Sequence, residues 1–373
     1  MALINYLARV QFDFGALGLL GDELAALGIG RPLLVSDRGL EAGGLVQRVI
    51  DTLAPGQLAA VFADTPSNPT ERAIHAALDL YRNHGCDGIV ALGGGSPIDL
   101  AKAVALLATH GGRLADYTVL AGGSDRITAR VAPIIAIPTT AGTGAEVGRA
   151  SVVVLDTGRK VVLVSLHLVP KTALCDPELT LGLPPLLTAA TGMDALSHCI
   201  ETFLSSRPNP PAAAIALDGL GRCVRWIEPA TGNGADREAR SEMLMAALEG
   251  GLTFQKGLGA VHAMATPLGE LGLHHGTLNA VLLPAVLRFN APACAEKYAA
   301  IRATAGLPAD ADLADWIVAL NRRLGLPGGL GTMGVPRARL AEIAAAAAKD
   351  HSGHTNPRAA AAGDYERMLV ESL

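Results

Sequence analysis

From Arg31 to Glu146 the chain alternates short apolar runs with longer stretches of helical periodicity, and this alternation restricts its fold more than any other feature. "RPLLVSD" (Arg31–Asp37), "LAAVFAD" (Leu58–Asp64), the opening of "CDGIVALGGGSPIDLAKAVALLATHGG" and the opening of "VAPIIAIPTTAGTGAEV" are predicted strands. "GLEAGGLVQRVIDTLA" and "NPTERAIHAALDLYRNHG" are predicted helices, the second with Thr70 as its N-cap and Gly85 at its end. Strand and helix in turn predict a parallel sheet with helices on both faces. "MALINYLARVQFDFG" alternates apolar and polar residues and is predicted to be a further strand; Arg9, Gln11 and Asp13 interrupt any secretory h-region. "GRASVVVLDTGRKVVLVSL" predicts two strands joined by a turn at Asp156-Thr157-Gly158.

After "CDPELTLGLPPLLTAA" the texture becomes Ala/Leu-rich and helical. The expected organisation is an α/β domain over residues 1–182 and an all-helical domain over 183–373, which suits a chain of 373 residues. "AEIAAAAAKD" has the propensity of a packed helix. A formal charge of 30 − 35 = −5 leaves no basic excess to track a phosphate backbone, so nucleic acid is not an expected partner. No apolar run reaches membrane-spanning length. Five scattered cysteines without a CxxC fit reduced thiols in the cytoplasm. Neither a Walker A pattern nor a GxSxG elbow occurs, so phosphoryl transfer and serine hydrolysis lack support.

Two small-residue loops follow predicted strands: Gly93-Gly94-Gly95-Ser96, and "PTTAGTGAE" from Pro138 to Glu146. Glycines there let a backbone approach a ligand, and a helix N-terminus offers free N–H groups to a phosphate. A tight strand-to-helix turn is the plainer reading of either loop alone; two of them at strand C-termini favour a ligand, because open α/β sheets bind ligands there. Asp37, at the end of its strand, suits either a ribose diol, favouring NAD over NADP, or a helix cap.

In the helical half, "TGMDALSHCIETF" places Asp194 and His198 at i and i+4, on one helix face. Alone, such a pair is more often a solvated or hydrogen-bonded surface pair. "GAVHAMATPLGELGLHHGTLNAV" adds His262, His274 and His275. Three imidazoles and a carboxylate suit Fe²⁺ or Zn²⁺ with a position left for a substrate oxygen. The neighbours His274 and His275 are expected to point apart, with one of them a ligand.

"SNPT", "GGGSPIDLAK", "PTTAGTGAE", "ATGMDALSHCIE", "GAVHAMATPLG", "HHGTLNAVLLP" and "TNPR" together resemble the iron-containing (group III) alcohol dehydrogenases over nearly the whole chain. The resemblance implies a dehydroquinate synthase-like fold: an N-terminal Rossmann-like domain, a C-terminal helical domain and a metal in the cleft between them. It implies Asp194, His198, His262 and His275 as metal ligands, His275 because a glycine follows it. On the nicotinamide cofactor side it implies Asp37, Asn68, Gly94, Gly95, Ser96, Thr139, Thr140 and Lys160. It further implies NAD, Fe²⁺ with Zn²⁺ as the alternative, a small alcohol or aldehyde substrate, and leaves a homo-oligomer open. Two positions depart from the family: Thr266 and Ala285 stand where many members carry histidine. Within the family, "FDFGALGLL", "TPSNPTE", "CDPELTLGLP", "FQKGLG" and "GLHHGTLNAVLLPAVLRFN" are similar to the 4-hydroxybutyrate dehydrogenases. A carboxylate substrate needs a cation. Lys256, ahead of His262, is the candidate; a snorkelling surface lysine is the alternative. Members acting on lactaldehyde, propanediol or simple alcohols are the competing reading. Dehydroquinate synthase-like lyases share the fold, but the lysine- and arginine-rich pocket they need is not evident.

Overall fold

The structure, a computed structural model, describes Ile4, Tyr6 and residues 8–373. Of the strand predicted from Met1 to Gly15, residues Met1, Ala2, Leu3, Asn5 and Leu7 lie outside the described residues, and Arg9–Phe12 form β1. The chain divides into two compact units, one containing Tyr6–Thr140 and Ala145–Thr180, the other Ala141–Gly144 and Leu181–Leu373.

The first unit carries a six-stranded parallel sheet in the order β1-β8-β5-β4-β2-β3, with β2 at Pro32–Val35, β3 at Ala60–Phe62, β4 at Gly88–Gly93, β5 at Ile134–Pro138 and β8 at Thr172–Cys175. Successive side chains leave a strand on opposite faces. Leu33, Val35, Ile89, Ala91, Ile134 and Ala136 therefore share one core with α4 (Glu71–Asn83) and α5 (Gly95–Thr109). Leu34, Val90, Leu92, Ile135 and Ile137 share another with α1 (Leu20–Ala26) and α3 (Leu45–Ile50). Burial on both faces is why these strands read as continuous apolar runs.

The helix predicted across "GLEAGGLVQRVIDTLA" is two, α2 (Arg38–Ala42) and α3, because Gly43-Gly44 breaks it. Gly44 sits at φ 79°, a left-handed conformation that other residues adopt only at a cost. Thr70 caps α4 as expected, accepting from the Ala73 N–H at 3.2 Å. Ala150–Val154 (β6) and Lys160–Val164 (β7) form the predicted antiparallel pair, with Gly158 at φ 81° in its turn.

In the second unit no strand occurs among the described residues; Leu181–Leu373 form α6 (Pro185–Leu204), α7 (Pro210–Gly232), α8 (Arg237–Leu252), α9 (Ala260–Gly269), α10 (His275–Asn290), α11 (Ala295–Thr304), α12 (Leu313–Arg323), α13 (Leu340–Ala347) and α14 (Ala362–Glu371), with longer connections on either side of α13. Pro185 opens α6, where its missing N–H costs nothing. From Thr188 to Leu204 every residue of α6 is buried, as expected of a helix enclosed on all sides. The loop Ala141–Gly144 packs on this unit through its glycines. A Cβ at Gly142 would stand 2.8 Å from Thr191 Cβ, and one at Gly144 would stand 2.6 Å from Gly251 Cα.

Candidate metal centre and nucleotide face

Burial of α6 decides between the two readings of Asp194 and His198. Neither is a wet surface residue; they are 2% and 3% exposed. Asp194 Oδ1 is the hub. His198 Nε2 lies 3.4 Å from it, His275 Nε2 3.8 Å and His262 Nε2 3.9 Å. Ligand atoms of Asp194, His262 and His275 all fall within 4.8 Å of one another. His198 is outside that compact triad, although it is nearest to the carboxylate; its ring stacks on His262 with centroids 4.8 Å apart.

Small residues and caps bring these side chains together. A Cβ at Gly276 would collide with the Ala190 carbonyl and stand 3.3 Å from Asp194 Cβ, so glycine after His275 lets α10 begin against α6. A Cβ at Gly250 would lie 3.1 Å from His198 Cβ, so α8 meets α6 through a glycine. Asn356 of "TNPR" accepts from the Ala260 N–H at 3.2 Å and Thr355 Oγ1 donates to the Leu258 carbonyl at 2.5 Å, fixing the entry to α9. His274 turns away: exposed, it caps α10 by accepting from the Thr277 N–H.

Two residues that sequence reasoning missed complete the cluster. Glu201 accepts a hydrogen bond from His262 Nδ1 and another from the Val261 N–H at 2.8 Å. A carboxylate on Nδ1 leaves the Nε2 lone pair facing the hub, the usual arrangement behind a metal-bound imidazole. Asn279 donates to Asp194 Oδ1 at 2.7 Å. Both were within reach of helical spacing: Asp194, His198 and Glu201 are i, i+4 and i+7, and Asn279 is four residues beyond His275.

Burial alone would push the Asp194 carboxyl up, but His198, His275, His262 and the Asn279 amide outweigh it and hold it below its ordinary value. Burial pushes His198 down to about 4, so its ring is neutral. Burial opposes a charge on His262 too, yet Glu201 and Asp194 raise it overall. One carboxylate and three imidazoles, all but His275 buried, are a donor set for a first-row divalent cation such as Fe²⁺ or Zn²⁺. The residues present fit such an ion.

Three other expected residues are placed as follows. Lys256 ends the short turn Phe254–Lys256, whose Phe254 ring meets the His198 ring at 4.8 Å. It is buried, not a surface lysine, and burial together with Lys297 lowers it to about 8. Half-buried Thr266 donates to the His262 carbonyl at 3.0 Å. Ala285 is in the core.

In the sheet unit the expected cofactor residues lie mostly beyond strand C-termini, whereas Lys160 opens β7. From β2 the chain passes to β3 on one side and then returns to β4 on the other, so the strand order reverses between β2 and β4. That is where open α/β sheets take ligands. Asp37 follows β2 and caps α2, accepting from the Leu40 N–H at 3.0 Å. Gly94 caps α5, whose N-terminus follows β4; a Cβ there would stand 3.0 Å from Thr140 Oγ1. The Thr139 N–H donates to the Gly93 carbonyl at 3.1 Å, and Ser96 Oγ donates to the Ser67 carbonyl at 2.6 Å. Lys160 Nζ donates to Asn68 Oδ1 at 3.0 Å. Sequence reasoning missed Lys102, fully buried on α5. Its ammonium donates to the carbonyls of Ala145, Gly148 and Ala150 at 2.7–2.9 Å and pins the second loop's exit.

Residues 8–177 match the iron-containing alcohol dehydrogenase family, and residues 188–373 match the C-terminal part of the Fe-containing alcohol dehydrogenase family. A 4-hydroxybutyrate dehydrogenase of Cupriavidus necator is 54% identical over 383 aligned positions, covering 100% of both chains. The crystal structure of a 1,3-propanediol oxidoreductase superposes with a TM-score of 0.94 at 34% identity, again over 100% of both chains. A sulfoacetaldehyde reductase from Bifidobacterium kashiwanohense, crystallised with NAD+, superposes with a TM-score of 0.90 at 29% identity over 100% of this chain and 98% of that one.

Proposed function

Because the chain belongs to the iron-containing alcohol dehydrogenase family, we propose that it interconverts 4-hydroxybutyrate and succinate semialdehyde by hydride exchange with NAD. The observation that carries the chemistry is the convergence of three imidazole Nε2 atoms on Asp194 Oδ1 inside the helical unit. The substrate rests on the 54% identity to a 4-hydroxybutyrate dehydrogenase.

Residues 183–373 are the metal-binding domain in this reading, with Asp194, His198, His262 and His275 as ligands for Fe²⁺, or Zn²⁺ in its place. When bound, the ion supplies Lewis-acid activation at the substrate oxygen. Glu201 keeps His262 in the tautomer that offers Nε2. Thr266 commits its hydroxyl to a backbone carbonyl, so no proton relay starts there.

Residues 1–182 are the dinucleotide-binding domain. Backbone N–H groups at Gly94, Gly95 and Ser96, at the start of α5, suit the pyrophosphate. Thr139 and Thr140 follow β5, Asn68 precedes α4 with Lys160 bonded to it, and the Asp37 carboxylate disfavours a 2′-phosphate, hence NAD over NADP. Lys256 is the proposed partner of the substrate carboxylate; Lys256→Met raises KM for 4-hydroxybutyrate far more than for 1-butanol if so. The buried free cysteines suit a reducing cytoplasm.

The test is a panel of alcohols and aldehydes with the metal-loaded enzyme. Preference for 4-hydroxybutyrate and succinate semialdehyde is expected. Preference for 1,3-propanediol would instead support the second reading, favoured by the 0.94 superposition.

A further inference from the structure

We propose that Asn279 holds the metal-free site together, and that its amide releases two of the imidazoles when a divalent ion enters. The inference rests on the metal-dependent reading above. Asn279 lies on α10, fully buried, one turn beyond His275. Its Nδ2 is 2.7 Å from Asp194 Oδ1 and 3.2 Å from Nε2 of both His262 and His275. These three residues form the compact triad. An amide nitrogen has two hydrogens, so it cannot satisfy three acceptors fully. Its Oδ1, meanwhile, is buried with no hydrogen-bond partner among the described residues. A side chain whose nitrogen is overcommitted and whose oxygen is orphaned is placed for the sake of the nitrogen.

Three electron-pair donors facing one another in a largely buried site repel unless something positive stands among them. In the metal-free protein the partial positive charge of the amide hydrogens is that something. An unprotonated imidazole nitrogen has a single in-plane lone pair, so in the tautomer with the proton on Nδ1 each Nε2 serves Asn279 or an ion, not both. Asp194 has further lone pairs and keeps the amide in either state. Metal entry therefore exchanges the amide for the ion at His262 and His275, while Asn279 stays on Asp194. Asn279 is a positioning residue that stabilises the metal-free arrangement and lowers the apparent affinity for the ion.

Thermal unfolding of chelator-stripped wild type, Asn279→Leu and Asn279→Ala, each with and without saturating Zn²⁺, tests this. Loss of the amide is expected to lower the metal-free Tm by about 2–6 °C. It is also expected to enlarge the Tm gain on adding Zn²⁺, with a several-fold tighter Kd. A gain no larger than that of wild type overturns the proposal while leaving the metal reading intact. A wild type that gains nothing from Zn²⁺ or Fe²⁺ overturns both. Should neither variant fold, the crystal structure of metal-loaded wild type decides: Nδ2 on Asp194 but beyond hydrogen-bond range of both Nε2 atoms is expected. An amide still bonded to both imidazoles contradicts it.

Discussion

The sheet unit and the helical unit offer polar groups to a ligand in opposite ways. At the C-termini of β2 and β4 the groups are largely main chain: the N–H groups that open α5 and loops kept small by Gly93 and Gly94. In the helical unit they are side chains from α6, α9 and α10, each aimed by a neighbour such as Glu201, Gly276 or Asn279. A main-chain site survives many substitutions because the fold supplies its atoms. A side-chain site is lost with one truncation. The two units are therefore expected to fail differently when altered.

The largest effect is expected from Asp194→Ala, which removes the carboxylate on which the three imidazole Nε2 atoms converge. Metal content, read by elemental analysis, should fall to background and kcat/KM by about 10³-fold or more, while NAD binding by the sheet unit is retained. Loss of both together would erase the contrast. Next comes Glu201→Gln, which keeps the shape but weakens the bond to His262 Nδ1; about 10–100-fold weaker metal binding is expected in a chelator competition. Gly94→Ala is expected to act on the other unit alone. Its Cβ would stand 3.0 Å from Thr140 Oγ1. KM for NAD should rise roughly tenfold with metal content unchanged, since close backbone approach is what glycine provides.

The smallest expected effect is a pH slope in the sheet unit. Burial lifts Glu146 to about 7, against its own backbone N–H and Lys102. Its folded value exceeds its ordinary one of 4.5, so the folded state holds a proton that the unfolded chain has released. This contribution is fully present below pH 4.5 and is lost as pH rises to about 7. The Tm of Glu146→Gln should decline less than that of wild type across this window; equal slopes would remove Glu146 from the account.

The same contrast explains what the sequence made legible. Strand-helix alternation and glycine loops are local signals, so the sheet, Thr70 as a cap and the β6-β7 turn follow from short stretches of chain. The break at Gly43-Gly44 was visible as two glycines, but apolar periodicity on either side masked it. The cluster around Asp194 joins residues 81 positions apart, and no local pattern reports that distance. Histidine counting and family resemblance brought Asp194, His198, His262 and His275 into view. Glu201 and Asn279 escaped because an acid and an amide on helices have many ordinary uses, and only burial against the imidazoles distinguishes theirs.

The central claim is that one divalent ion is held by Asp194 and the imidazoles around it. Its most direct test is calorimetric titration of Fe²⁺ or Zn²⁺ into chelator-stripped protein, under anaerobic conditions for iron. One ion per chain is predicted for wild type, with that binding abolished in both Asp194→Ala and His275→Ala. Stoichiometric binding that persists undiminished in both variants would contradict it.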